Sequence, residues 1–161
     1  MNALVERIFY IITFTLSVQG ACESGWVQFQ DSCYTLVTAF RQWTDAKKFC
    51  ENMNNTHLPI VMSEEENEFL KQLLGTRHAT GEIQFWMDGS DMNKEGVWKW
   101  NSTGESFEVT DWFPGEPNQS NGEEDCLTFY TRYDMRWNDE HCDRLFPFLC
   151  ERESVSAGIV G

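Results

Sequence analysis

The sequence predicts a single α+β domain. Three observations carry that expectation. Two helical segments come first, short strand-like runs follow them without strand–helix alternation, and six cysteines lie behind an apolar N-terminal run. The chain has 161 residues, which is room for one domain of ordinary size and cramped for two. Hydrophobic residues make up 41% and aromatics 14%, enough for a packed core, so a disordered chain is excluded. There are 26 acids against 12 bases, a formal charge of −14. Such a chain is repelled by phosphate backbones and by anionic membrane surfaces, so nucleic-acid partners are disfavoured.

The elements follow in order. Arg7 precedes an apolar run from Ile8 to Leu16, and Val18-Gln19-Gly20 offers a cleavage point before Ala21. Residues 1–20 are therefore expected to be a signal peptide, with the domain at 21–152 and a short tail at 153–161. The run is shorter than the about 20 residues that span a bilayer, so no membrane span and a secreted, extracellular product are expected. In that setting six cysteines (Cys22, Cys33, Cys50, Cys126, Cys142 and Cys150) imply a disulfide framework, whose connectivity the spacing leaves open. No CxxC occurs, and His57, His78 and His141 lack zinc-site spacing.

Thr44 is the expected N-cap of a first helix continuing from Ala46 to Met53, with Phe49 and Cys50 facing inward. Ser63-Glu64-Glu65-Glu66 reads as a capping box opening a second helix. Phe69, Leu70, Leu73 and Leu74 follow at helical spacing, and Gly75 is the expected left-handed stop. Phe85-Trp86-Met87 reads as a buried strand. Val97 to Trp100 alternates, which places Trp98 and Trp100 on one face. Residues 101–125 form a long connection without periodicity, and loops of that length are functional or disordered. Cys126 to Tyr130 and Phe146 to Cys150 are two further strands.

The charge is not spread evenly. From Glu105 to Asp143 there are eleven acids and two bases, so this segment carries −9 of the −14. Within it, Glu116-Pro117-Asn118, Glu124-Asp125 and Asn138-Asp139 mix carboxylates with amide oxygens, the hard ligands that suit Ca²⁺ better than Mg²⁺. Composition alone leaves two readings open, a calcium site and a solvated acidic loop. Asp91 to Gly96 resembles the opening of an EF-hand loop, but Ser102 stands where a bidentate Glu is required.

Taken together and in order, these residues resemble the C-type lectin domain in its long form over about residues 22–151. The resemblance rests on Cys22 and Cys33, Trp43-Thr44-Asp45-Ala46 leading to Cys50, and Phe85-Trp86-Met87. It continues with Glu116-Pro117-Asn118, Glu124-Asp125-Cys126, Trp137-Asn138-Asp139, Cys142 and Cys150. It implies a lectin-like fold of two helices, small antiparallel sheets and a long calcium-binding loop region. It implies the pairs Cys22–Cys33, Cys50–Cys150 and Cys126–Cys142, and a cis bond before Pro117. It implies a principal calcium and sugar site of Glu116, Asn118, Glu124, Asn138 and Asp139, the last adding its backbone carbonyl. An auxiliary calcium site is implied at Asp91, Glu95 and Asp125, with Gln119 where the family has Asp or Asn. The Glu-Pro-Asn order is similar to that of lectins for mannose, fucose and N-acetylglucosamine. Asp88-Gly89 departs from the family pattern of Gly followed by an apolar residue.

Trp86, Trp98, Trp100 and Trp137 are expected in the core. Asn54-Asn55-Thr56 and Asn101-Ser102-Thr103 are glycosylation sequons, whereas Asn118-Gln119-Ser120 is expected to stay unmodified because Asn118 is an implied ligand. Three classes of function are weighed: a calcium-dependent lectin for mannose-type glycans on microbial or cell surfaces, a lectin-like protein-binding module without a sugar ligand, and a hydrolase. The second needs a broken calcium site, and all five implied ligands are present. The third lacks a GxSxG and any marked base, so no enzyme is expected. A single site of this kind binds weakly, which leaves a homo-oligomer or a multivalent target to supply avidity.

Overall fold

A computed structural model describes residues 22–77, 81–120 and 122–154. The expected signal peptide and the tail beyond Ser154 lie outside the described residues. The elements are β1 (Val27–Phe29), β2 (Ser32–Arg41), α1 (Trp43–Glu51), α2 (Glu64–Arg77), β3 (Gln84–Ser90), β4 (Lys99–Trp100), β5 (Cys126–Tyr130), β6 (Arg136–Glu140) and β7 (Phe146–Glu153). The strands form one path, β1-β2-β7-β3-β5-β6, with β4 on β3. The antiparallel pairs are joined through one parallel contact between β3 and β7, Trp86 against Phe148.

Alternation in the sheet explains the two hydrophobic clusters. In β3, Phe85 and Met87 face the cluster that holds Leu70 and Leu74 of α2, while Trp86 faces the cluster of Trp43, Ala46 and Cys50 of α1. In β7, Leu149 joins the first cluster and Phe148 and Cys150 the second. A sheet covered on both faces explains why all of β3 is buried. Trp86, Trp100 and Trp137 are fully buried, as expected of core residues, and Trp98 is half-buried against the first cluster.

All three disulfides have the implied pairing. Cys50–Cys150 joins α1 to β7 across a sequence separation of 100. In the chain-entropy model a loop of that size restricts the unfolded state by about 5 kcal/mol.

Both helices differ from expectation at their ends. The cap of α1 is Gln42, which makes no side-chain cap bond, and Thr44 lies inside the helix. Tertiary bonds fix this entry instead: the Trp43 N–H donates to the Cys142 carbonyl (3.0 Å) and its Nε1 to the Met87 carbonyl (2.8 Å). Likewise α2 runs through Gly75 to Arg77, so Gly75 is not a left-handed stop. Burial of Leu70 and Leu74 outweighs the roughly 1 kcal/mol that an internal glycine costs. The capping box forms in shifted shape. Ser63 Oγ accepts from the Glu66 N–H (3.1 Å), but Glu66 Oε2 accepts from Met62 N–H (2.8 Å), one residue earlier than a standard box. Glu66 Oε1 accepts from Tyr34 Oη, which also reaches Glu151 Oε1 (3.2 Å) and so bridges two buried carboxyls. Burial pushes the Glu151 carboxyl up, with the Glu66 charge adding to it against a lowering by His57.

The expected strand at Val97 shortens to Lys99–Trp100, because a turn bond from Val97 N–H to the Lys94 carbonyl (2.9 Å) holds the chain before it. Trp98 and Trp100 still share a partner, Phe107, at 6.1 and 4.1 Å between ring centroids. Phe107 also explains Asp88-Gly89. A Cβ on Gly89 would sit 2.6 Å from Phe107 Cζ and 2.8 Å from Leu127 Cδ2. The small residue has moved one place along the strand to admit this ring. Asp88 is fully buried; its Oδ2 accepts from the N–H (2.6 Å) and Oγ (2.7 Å) of Ser102, and its Oδ1 has no partner. Burial pushes the Asp88 carboxyl up to about 6 despite the Ser102 bonds and the neighbouring His57 and Lys47 charges.

Two outcomes follow from this strand end. Gly89→Ala should destabilise the fold by about 1–3 kcal/mol, since neither Phe107 nor Leu127 can retreat from a packed core, and a denaturant titration reads the loss directly. The raised Asp88 pKa means that the native state holds an extra proton between about pH 4 and pH 6, so this group's contribution to stability falls as pH rises through that window. Asp88→Asn should remove up to about 3 kcal/mol of that pH dependence and raise the unfolding midpoint above pH 6. An unchanged pH slope in the variant would contradict the assignment.

Candidate metal and carbohydrate site

The long connection is anchored before it reaches the site. Trp112 packs on Trp98, Phe107 and Trp137, at centroid distances of 4.9, 6.4 and 5.7 Å. Trp137 N–H donates to the Asp111 carbonyl (2.9 Å) and Phe113 N–H to the Trp137 carbonyl (3.0 Å), which ties residues 111–113 to β6. Glu116 N–H then closes a turn onto the Phe113 carbonyl (2.8 Å). The Glu116–Pro117 peptide is cis, as the resemblance implied.

From there one carboxylate organises the loop. Asp139, at 1% exposure, lies on β6, and its Oδ2 accepts from the backbone N–H groups of Asn118 (3.0 Å) and Gln119 (2.9 Å). Its Oδ1 is buried without a partner, and so is Glu116 Oε2. Glu116, Glu124 and Asp139 are close enough to act on one another electrostatically. Burial, contact with Asp139 and the charges of Asp139 and Glu124 together push the Glu116 carboxyl up to about 7. Burial and the Asp139 charge raise Glu124 as well. Asn118 is exposed, whereas Asn138 is buried and its Nδ2 donates to Gln84 Oε1 (3.3 Å) and to the Asp139 carbonyl. The structure thus brings the five principal residues into one neighbourhood.

The auxiliary set is gathered less completely. Asp91 N–H donates to the Asp125 carbonyl (3.2 Å), and burial and the charges of Glu95 and Asp125 push the Asp91 carboxyl up. Asp91 Oδ1 is buried without a partner, while Glu95 is exposed. Gln119 is engaged elsewhere: its Oε1 accepts from Glu124 N–H (2.9 Å) and its Nε2 donates to the Glu124 carbonyl (3.3 Å). A glutamine here clasps the backbone that carries Glu124.

Sequence reasoning passed over two residues. Gln84 Oε1 accepts from Thr128 (2.6 Å) and Asn138 (3.3 Å), and its Nε2 donates to Glu140 (2.7 Å), so it fixes Asn138 from beneath. His141 Nε2 lies 3.9 Å from Glu124 Oε1. Gln84 carries no signal in the sequence, because only strand pairing brings it to Asn138. Among the described residues no three His, Cys, Asp or Glu side chains make a metal cage on their own, so amides must complete any shell. The residues do fit a hard dication. Carboxylate oxygens are buried without donors, burial and the Asp139 charge raise the carboxyls of Glu116 and Glu124, and backbone N–H groups leave one side of Asp139 free.

Comparison with known proteins agrees with this geometry. The profile of the Lectin C-type domain matches residues 40–152. Human C-type lectin domain family 10 member A is 36% identical over 142 residues, 84% of this chain and 42% of that protein, so the chain spans less than half of that relative. A lectin of Pleurodeles waltl is 33% identical over 81% of this chain and 75% of its own length. Among solved structures, the mouse scavenger receptor C-type lectin carbohydrate-recognition domain superposes with a TM-score of 0.73 at 32% identity, covering 84% of this chain and all of that one. Fold, disulfides, loop and profile lead to one conclusion: the chain belongs to the C-type lectin domain family, a family of binding proteins and not of enzymes.

Proposed function

We propose that the chain is a secreted, calcium-dependent lectin for mannose-type glycans on microbial or cell surfaces, serving innate recognition. The observation that carries the reading is the neighbourhood of acids and amides around Glu116 and Asp139, each with a buried oxygen that has no donor. Mannose, fucose and N-acetylglucosamine share vicinal hydroxyls of the geometry that the Glu-Pro-Asn order suits. The residues to hold Ca²⁺ are Glu116, Asn118, Glu124, Asn138 and Asp139. When bound, the cation supplies positive charge and open coordination positions for two neighbouring hydroxyls.

The protein side of recognition is hydrogen bonding. Glu116 and Glu124 accept from sugar hydroxyls, and the amide of Asn118 donates to them, joined by that of Asn138 once its Nδ2 leaves the Asp139 carbonyl. Alternating acids and amides give each hydroxyl both an acceptor and a donor. Gln119 and Gln84 act behind this layer, the first holding the Glu124 backbone and the second the Asn138 amide. Asp91, Glu95 and Asp125 are the residues for a second cation, with Gln119 serving it only if its clasp on Glu124 is released. The N-glycan acceptors in this reading are Asn54, which is exposed, and Asn101, which is half-buried.

A glycan array run in calcium and again in chelator tests the reading. Binding to mannose-, fucose- and N-acetylglucosamine-terminated glycans is expected in calcium and should vanish in chelator. Binding that survives chelation, or that is confined to galactose, would overturn it. Glu124→Gln should weaken calcium-dependent binding at least about tenfold, because a charged hydrogen-bond acceptor and metal ligand is lost.

A further inference from the structure

Beside Glu124 the surface sinks into a depression of about 430 Å³ lined by Met92, Glu123, Asp125, His141, Cys142 and Asp143. Its volume lies in the range of ligand pockets. It adjoins the candidate site through His141, whose Nε2 is 3.9 Å from Glu124 Oε1, so a glycan held at Glu124 is within reach of this wall. Met92 is 45% exposed and offers an apolar surface for a sugar ring.

The charge of this wall is one-sided. Glu123 and Asp143 are exposed and Asp125 is half-buried; burial and the Glu123 charge push the Asp125 carboxyl up, with His141 opposing. The bases of the region face other acids. Arg132 is 3.6 Å from Glu82, Arg136 is 3.9 Å from Asp111, and Arg144 is 3.8 Å from Glu140. Lys94 lies between Asp91 and Glu95, whose charges exceed its own. Dications at both the principal and the auxiliary residues would reduce the −9 of residues 105–143 only to −5. Among the described residues, an anionic sugar placed here meets several like charges, and the arginines nearest in sequence each lie beside an acid. At contact distances each such pair is worth about a few tenths to 1 kcal/mol in water, and the terms add.

We propose that Glu123 and Asp143, the exposed acids of this wall, are specificity-determining residues that confine this lectin site to uncharged glycans. A glycan whose sugar next to the bound one carries a carboxylate, sulfate or phosphate is rejected. This inference rests on the calcium-dependent reading above and adds to it the charge class of the ligand. The rejection acts through solvent, so it is strongest at low ionic strength and fades when the Debye length drops toward the size of the contact.

The test uses the full chain in calcium, with a neutral oligomannoside and the same oligomannoside sulfated on the sugar adjoining the terminal mannose. Affinities are read at about 20 mM and about 500 mM salt. The sulfated probe should bind about tenfold or more weakly at low salt, and the gap should close at high salt. In the double variant E123Q/D143N the gap should shrink several-fold while the neutral probe keeps its affinity; both residues are exposed, so folding is not at stake. Equal affinity for the two probes at low salt would overturn the inference and leave the lectin reading standing. So would a gap that the variant leaves unchanged. Failure of the neutral probe to bind in calcium would overturn both.

Discussion

Asp139 is the group on which the binding region depends. It sits at 1% exposure on β6, with one oxygen taking two loop N–H groups and the other taking none. A buried carboxylate arranged in this way does two jobs that oppose each other. It fastens the Asn118–Gln119 turn to the sheet, and it presents an unneutralised charge to Glu116 and Glu124. The first stabilises the loop; the second shows in the raised pKa of both neighbours. Under the proposed function, a cation is the partner that this charge would meet.

The rest of the molecule serves to hold that carboxylate in place. β6 is the end strand of the path, paired to β5 along five residues from Cys126–Glu140 to Tyr130–Arg136. β5 is braced by β3, and β3 by β7, which the Cys50–Cys150 bridge ties to α1. The Cys126–Cys142 bridge closes the hairpin just beyond Glu140. Aromatic packing of Trp112 and Phe107 replaces regular structure along the loop. A loop fixed by rings and a carboxylate, not by a ladder, is where local opening should be easiest.

Much of this was legible in the sequence, for physical reasons. Cysteine order, the Glu116-Pro117-Asn118 and Trp137-Asn138-Asp139 motifs and the concentration of charge in residues 105–143 all survive as local text. The β3, β5 and β7 runs were legible from apolar content. What was not legible depends on long-range partners. Residues 32–41 alternate poorly and were not read as a strand, yet β2 is ten residues long because β7 pairs with it. The start of α1 was misplaced because Cys142, far along the chain, supplies the bond that a local cap would supply. Gly75 stays helical because packing overrides propensity. Gln119 sits where an auxiliary ligand was expected, but its longer side chain reaches the Glu124 backbone.

Under the proposed function, the fold holds carboxylates together at a cost that a dication relieves. Thermal unfolding of the chain at neutral pH, followed across a calcium titration, reads that relief. The midpoint should climb with the logarithm of calcium concentration, reaching about 2.7 kcal/mol of added stability at a hundredfold excess over Kd. Glu116→Gln, which removes one repelling charge, should raise the calcium-free midpoint and flatten the climb. A midpoint indifferent to millimolar calcium in the unaltered chain would mean that no dication relieves the crowding of these carboxylates.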